Sequence, residues 1–267
     1  MNKYLSFFRL RFAMGMQYRM AAFAGVITQF VWGAMEILIY NAFYDANAAA
    51  FPMSFQATSS YIWLQQAFLA FFMAWFMEEE IFDSIISGNI VYELCRPIRI
   101  YNMWFARSVA NRLSRAVLRC FPILIIAVFL PKPYGMSAPS SAVNFMLFLV
   151  TMILGLLVTV SFCMLVYVLT FFTVSPQGLR ICFVSMVEFF AGAVIPLPFF
   201  PDNIRTVLEL LPFAAMQNVP LRIYSGDLSG VTIVKPVALQ VFWLIILTAV
   251  GYNLCRYVEK RVRLQGG

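Results

Sequence analysis

The sequence predicts an all-α integral membrane protein with six transmembrane helices and both termini in the cytoplasm. Composition is the first reason: of 267 residues, 62% are apolar and 12% charged, whereas soluble domains run at about 45–50% and about 25%. Mean hydropathy, at +0.82, agrees. Five or six stretches of ~20 apolar residues would use roughly half the chain and leave no room for a separate soluble domain. The placement of Lys and Arg is the second reason. Fifteen of the 19 basic residues fall in Lys3–Arg19, Arg96–Arg119, at Arg180 and in Arg256–Arg263, while Lys132, Arg205, Arg222 and Lys235 fall in the alternate segments. The positive-inside rule then puts the N-terminus in the cytoplasm, and six spans return the C-terminus there. The net charge of +7 is thus a topology signal and implies no nucleic-acid partner.

Absences narrow the chemistry. There is no histidine, which excludes His-based triads, H-E-x-x-H zinc sites and imidazole proton relays. Cys95, Cys120, Cys163, Cys182 and Cys255 stand singly, without the paired spacing a metal needs, and read as small hydrophobes.

Each element follows in turn. Basic residues spread over the first twenty positions without a short apolar core or a small-residue cleavage site, so a cleavable signal is not expected. Tyr4, Phe8, Phe12 and Met16 recur at i, i+4 and predict a helix along the cytoplasmic interface. The first span runs from Ala21 to Tyr44, interrupted by Gln29, Glu36 and Asn41, and the second from Tyr61 to Met77. A third ends at Leu130, where Pro131-Lys132-Pro133 stops it. Because Cys120–Leu130 is too short to cross ~30 Å of hydrocarbon, that span must begin near Asn111. The fourth covers Ala142 to Thr173, and the fifth runs from Arg180 until Pro196, Pro198 and Pro201 break it. The sixth covers Pro236 to Cys255.

Three places depart from a plain bundle. Between spans two and three, Glu78-Glu79-Glu80 open a helix whose N-terminal dipole favours acids. Ile81, Phe82, Ile85 and Ile86 follow at helical spacing, then Gly88-Asn89, Ile90, Val91, Leu94 and Arg96-Pro97. A cytosolic apolar stripe either rests on lipid or docks into a partner. The second departure is the series Arg107, Arg112, Arg115 and Arg119. Arg112 and Arg115 read as ligands of lipid phosphate, and Arg119 lies about 12 Å inside the boundary. The third is Gly192 to Pro201, with Pro196, Pro198, Phe199 and Phe200, then Pro212-Phe213. A helix cannot continue through those prolines, and irregular backbone at membrane depth needs protein or a cavity around it. Two intramembrane acids remain, Glu36 about 22 Å and Glu188 about 12 Å from the inner boundary. Glu188 shares its depth with Arg119, so a structural ion pair is one reading of it. A cavity-facing or dimer-interface position is the reading of Glu36.

The order of these features resembles the permease subunit of ABC-2 type transporters, bacterial inner-membrane exporters. The resemblance rests on the amphipathic first helix, two spans, Leu94-x-Arg96-Pro97, and four further spans. It also rests on the break Gly192-x-x-Ile195-Pro196-Leu197-x-Phe199-Phe200-Pro201, then Leu211-Pro212-Phe213 and Pro220-x-x-Ile223-Tyr224-x-Gly226. It implies one transmembrane domain over 1–267: an interfacial helix (1–20), spans one and two (21–77), a coupling segment (78–99), spans three to five (107–191), an extracellular gate of re-entrant helices (192–235), and span six with a cytoplasmic tail (236–267). It further implies a cytosolic ABC ATPase dimer that supplies ATP and Mg chemistry, and a second permease subunit, identical or homologous. No cofactor is expected in this chain, which has no G-x-x-x-x-G-K-[ST] phosphate loop. Phe-rich spans with Glu36 and Glu188 suit hydrophobic or cationic amphiphilic substrates. The alternatives are an ion-coupled secondary transporter using the two glutamates, and a membrane-embedded enzyme, for which the acidic cluster lacks D-x-x-D spacing.

Overall fold

The computed structural model describes residues 2–173 and 175–261; of the expected basic tail, Arg263 lies outside them. Among the described residues the chain is helical, with no strand. Helix α1 spans Asn2–Gly15 and α2 Arg19–Asn47. The next stretch is broken: α3 covers Phe55–Ala67, α4 Leu69–Phe72, α5 Glu79–Ile86 and α6 Ile90–Leu94. Two long helices follow, α7 over Ile100–Phe129 and α8 over Ala142–Leu169. The remainder is α9 (Pro176–Phe190), α10 (Asp202–Leu210), α11 (Asn218–Ser225) and α12 (Val234–Glu259).

Helix α8 is the centre of the bundle. It packs on α12, α11 and α7, and 67% of its most apolar stretch is buried, against 28% for α2 and 17% for α12. Its small residues permit this. Gly155 faces the backbone of Met216 so closely that a Cβ there would stand 2.0 Å from the carbonyl oxygen. The hydroxyls of Thr151, Thr159 and Ser161 bond carbonyls one turn back, which satisfies them within the helix. Ser161 also meets Thr248 of α12 at 2.9 Å. Gln240 of α12 is fully buried and donates to the carbonyls of Thr151 and Ala215, so a polar side chain ties three segments together where water is scarce.

Among the described residues, three helices are long and apolar enough to cross a membrane: Arg19–Ala50, Ala142–Phe172 and Gly230–Glu259, each extended by a short 3-10 turn. The other expected spans take different forms, each for a visible reason. Helix α7 has 30 residues, about 45 Å, but carries the four arginines. It starts at Ile100, well before Asn111, and its first half lies beside α1: Lys3 donates to the Pro97 carbonyl, Tyr4 accepts from the Arg99 amide, and Gly15 abuts Ser114. The expected first helix therefore forms and rests on α7, leaving Leu5, Leu10 and Met14 exposed. The second span ends as a helix at Phe72, because Met73 is extended. Helix α9, with 15 residues, is about 22 Å long, short of the ~30 Å hydrocarbon layer.

The arginine series is corrected in two places. Arg112 is 1% exposed and holds no lipid phosphate. Its Nη1 donates to the carbonyls of Ala70 (3.0 Å) and Met73 (2.8 Å), with Phe71 at 3.4 Å, and its Nη2 meets Cys163 Sγ at 3.2 Å. It fills the broken end of α4, whose last carbonyls have no helical partner. Arg119 and Glu188 do not pair. Arg119 crosses over Gly25 of α2, and its guanidinium lies 6.0 Å from the Phe76 ring centre. Glu188 instead lines a cavity that it shares with residues of α2. Arg115 remains exposed over the same Phe76 ring.

Candidate functional site

A cavity of about 540 Å³ opens between α2, the α3–α4 pair and the end of α9, and both intramembrane glutamates line it. Helix α2 contributes Gln29 and Glu36, seven residues apart and so on one face, with Trp32 and Met35 between them. Gly33 brings α2 against Trp63 and Gln66 of α3, where a Cβ would meet their side chains at 3.0–3.1 Å. Opposite stand Gln65 and Gln66, then Met73 and Trp75 where α4 unravels. Glu188 and the turn at Ala193 close the third side.

The polar groups are few and incompletely partnered. Gln66 donates its side-chain amide to Glu36 Oε2 at 3.4 Å, while Glu36 Oε1 has no partner. Gln65 donates to the Ala193 carbonyl at 2.8 Å, which fixes its amide orientation, and its Oε1 is likewise unpartnered. Gln29 Oε1 makes a third. Gln29 and Gln65 are only 5% and 3% exposed, and these oxygens are buried within the packing.

The broken segment beyond α9 closes one end of this cavity. Gly192 has φ +80, and a Cβ there would lie 3.2 Å from Leu197; only glycine takes this turn without strain. The chain reverses through buried Pro196, Leu197 and Pro198. Phe199 packs on Tyr40 and Phe51, Phe200 on Phe189, and Phe213 on Phe162 and Phe190. Pro201 precedes α10, where Leu208 is buried while Ile204 and Val207 face outward. Pro212 is half-buried before α11, which is buried on all sides between α8 and α3. Within it, Arg222 bonds Glu209 of α10 and Asp227, each at 2.5 Å.

The segment between the broken second helix and α7 forms two short helices joined at Gly88 (φ +76). Its three glutamates do more than greet a helix dipole. Glu80 pairs with Arg107 of α7 and lies 3.6 Å from Arg11 of α1; Glu78 lies 3.7 Å from Arg107; Glu79 pairs with Arg180 of α9 at 3.1 Å. The Glu78 amide also donates to the Tyr167 hydroxyl of α8 at 2.6 Å. Ile81 and Phe82 are buried, Ile85 and Leu94 half-buried, while Ile86, Tyr92, Arg96 and Pro97 face solvent.

The structure therefore brings Glu36 and Glu188 together and separates Arg119 from both. Sequence reading missed Gln29, Gln65 and Gln66 as cavity residues, although a Gln-Gln pair inside an apolar run was a visible signal. It also missed the Arg222–Glu209–Asp227 cluster, since residues thirteen apart in a broken region carry no periodicity.

Comparison with known proteins adds the lineage. No curated protein matches the chain. The family described as ABC-2 family transporter protein matches residues 30–261, from within α2 through α12, including both broken segments and most of the cavity lining. The chain is a membrane component of that transporter class, and it belongs to the ABC-2 transporter family.

Proposed function

We propose that the chain is the permease subunit of an ATP-driven exporter in the bacterial inner membrane. It contributes half of a pathway for hydrophobic or cationic amphiphilic substrates, and a second permease, identical or homologous, contributes the other half. ATP and Mg belong to a cytosolic ABC ATPase dimer. The chain then crosses the bilayer six times, the broken α3–α4 pair, α7 and α9 completing the crossings made by the three longest helices.

The observation that carries this reading is the α5–α6 segment. Its acidic first turn is held by arginines from α1, α7 and α9 at once, so a push on it reaches three helices. Its far side offers Ile86 (59% exposed) and Tyr92 (72% exposed) to a partner, and exposed apolar groups on a cytosolic element favour docking. Closure of the ATPase dimer would press this element inward and turn α9. The broken segment at Gly192–Pro201 follows directly and would open outward. The test is co-purification with a co-expressed ABC ATPase subunit. Ile86→Asp is expected to abolish the complex without lowering the melting temperature, because Ile86 is exposed in the free chain. An unchanged complex refutes the docking role.

A second reading draws on one observation: both intramembrane carboxylates share a cavity, and neither has an ion-pair partner among the described residues. An ion-coupled carrier would use them so. Uptake into vesicles driven by a proton gradient, with no ATPase present, would establish that reading and overturn the first.

A further inference from the structure

Four arginines stand along α7, and the fold supplies partners to only two of them. Arg107 pairs with Glu80, and Arg112 donates to backbone carbonyls. Arg115 and Arg119 have neither an ion pair nor a hydrogen bond among the described residues. One helical turn apart, they share a single aromatic ring: their guanidiniums lie 5.1 Å and 6.0 Å from the centre of Phe76. Arg119 is held from another side as well, since a Cβ on Gly25 of α2 would stand 2.6 Å from its Cζ. Its Nε is enclosed without a partner, whereas its Nη atoms are open, and Arg115 is exposed. Like charges at this spacing repel, and a guanidinium without a counter-charge is costly beside lipid. Glu80 cannot serve, being engaged at Arg107, about 12 Å along the helix before Arg115. Beyond Arg119 the chain is uncharged from Cys120 to Leu130. The stripe of the two arginines continues there through Pro122 and Ile126, both exposed.

From this we propose that Arg115 and Arg119 bind the phosphate of an anionic phospholipid, whose tails lie along Pro122 and Ile126. Arginine forks meet phosphate oxygens two at a time, and basic clefts between membrane helices hold anionic headgroups. A zwitterionic head brings the same phosphate with an ammonium, which meets two cations and no acid here, so the head selected is one with net negative charge. The assignment needs only that the chain lies in a membrane, and it does not rest on transport.

Trp75 is a reporter beside the pair: its ring centre is 6.0 Å from that of Phe76, and it is 37% exposed. The full chain is reconstituted in vesicles mixing phosphatidylglycerol and phosphatidylcholine, one or the other brominated on its tails. The quenching that disappears in Trp75→Phe is the local signal. Phosphatidylglycerol is expected to be preferred by about fivefold for each guanidinium. Arg115→Gln and Arg119→Gln should each lower that preference about fivefold, and the double variant should remove it. Arg115→Gln alters an exposed side chain, so it tests the pair even if Arg119→Gln folds poorly. Arg9→Gln removes an exposed arginine of α1 and should leave the preference intact; an equal fall there assigns the selectivity to general surface charge and overturns the proposal. Excess inorganic phosphate, matched against chloride at equal ionic strength, should not displace the lipid; displacement assigns the pair to a soluble anion and overturns it too. Equal local quenching by the two lipids in the native chain does the same.

Discussion

Replacing Arg112 with methionine tests how the second membrane segment can stop being a helix at Phe72 inside the bundle. In the native chain Nη1 makes two well-formed bonds, to the carbonyls of Ala70 and Met73, and a weaker one to Phe71. A side chain 1% exposed leaves no route for water to replace it. Each orphaned carbonyl costs about 1–3 kcal/mol, so the two good bonds represent about 2–6 kcal/mol. Removing the guanidinium also relieves its desolvation, several kcal/mol in a fully apolar site, which offsets part of that sum. The expected loss is therefore about 2–4 kcal/mol, or a fall in melting temperature of roughly 5–15 °C for a chain of this size. Thermal unfolding of the detergent-solubilised chain, followed by tryptophan fluorescence from buried Trp63 and Trp104, would measure it. Arg112→Lys should fall between, since an ammonium can still donate to carbonyls but has a shorter reach than Nη1 and no second arm toward Cys163. Cys163→Ala should change little, because the thiol contact is the weakest of the set. If Arg112→Met melts within about 1 °C of the native chain, the cap is not needed and the reasoning fails.

Two further predictions follow from close contacts elsewhere. Gly155→Leu should separate α8 from the turn before α11, because a Cβ alone would meet the Met216 carbonyl; a loss of about 1–3 kcal/mol or more would appear as a lower melting temperature, and an unchanged one would contradict the contact. Arg222→Gln strands Glu209 and Asp227 without their counter-charge, and breaking such a buried cluster costs about 3–5 kcal/mol. Limited proteolysis should then cut α10 faster than in the native chain, with the α5–α6 segment unaffected; equal cutting would show that the cluster does not hold α10 in place.

How much could be read in advance differs by region. Glu36 and Glu188 stood out because a charge in an apolar run is costly wherever it points. That both face one cavity depended on α2 and α9 being neighbours across α3, which no local pattern encodes. The break at Gly192–Pro201 was legible residue by residue, since proline forbids the helix whatever surrounds it. The break at Phe72–Met73 was not, because its run Leu69–Phe76 is as apolar as any helix. There the helix can end because Arg112, forty residues on, donates to the freed carbonyls. Arg112 itself was misread as a lipid ligand: at i, i+3, i+7 with Arg115 and Arg119 it looked like one stripe, yet α8 and α4 cover one side of α7 and not the other. The glutamates at 78–80 were placed correctly at a helix start, but their arginine partners come from three separate helices.

The sequence by itself determined the class: an apolar, histidine-free chain with basic residues segregated by segment must fold in a membrane, and its order of spans and breaks resembles the family to which it belongs. Those properties are additive along the chain, so they survive without coordinates. Only the tertiary structure decided which polar groups are partnered. Burial and hydrogen bonding depend on which helices lie side by side, and that adjacency brings two glutamates to one cavity, caps α4 with a distant arginine, and sets Arg119 apart from Glu188.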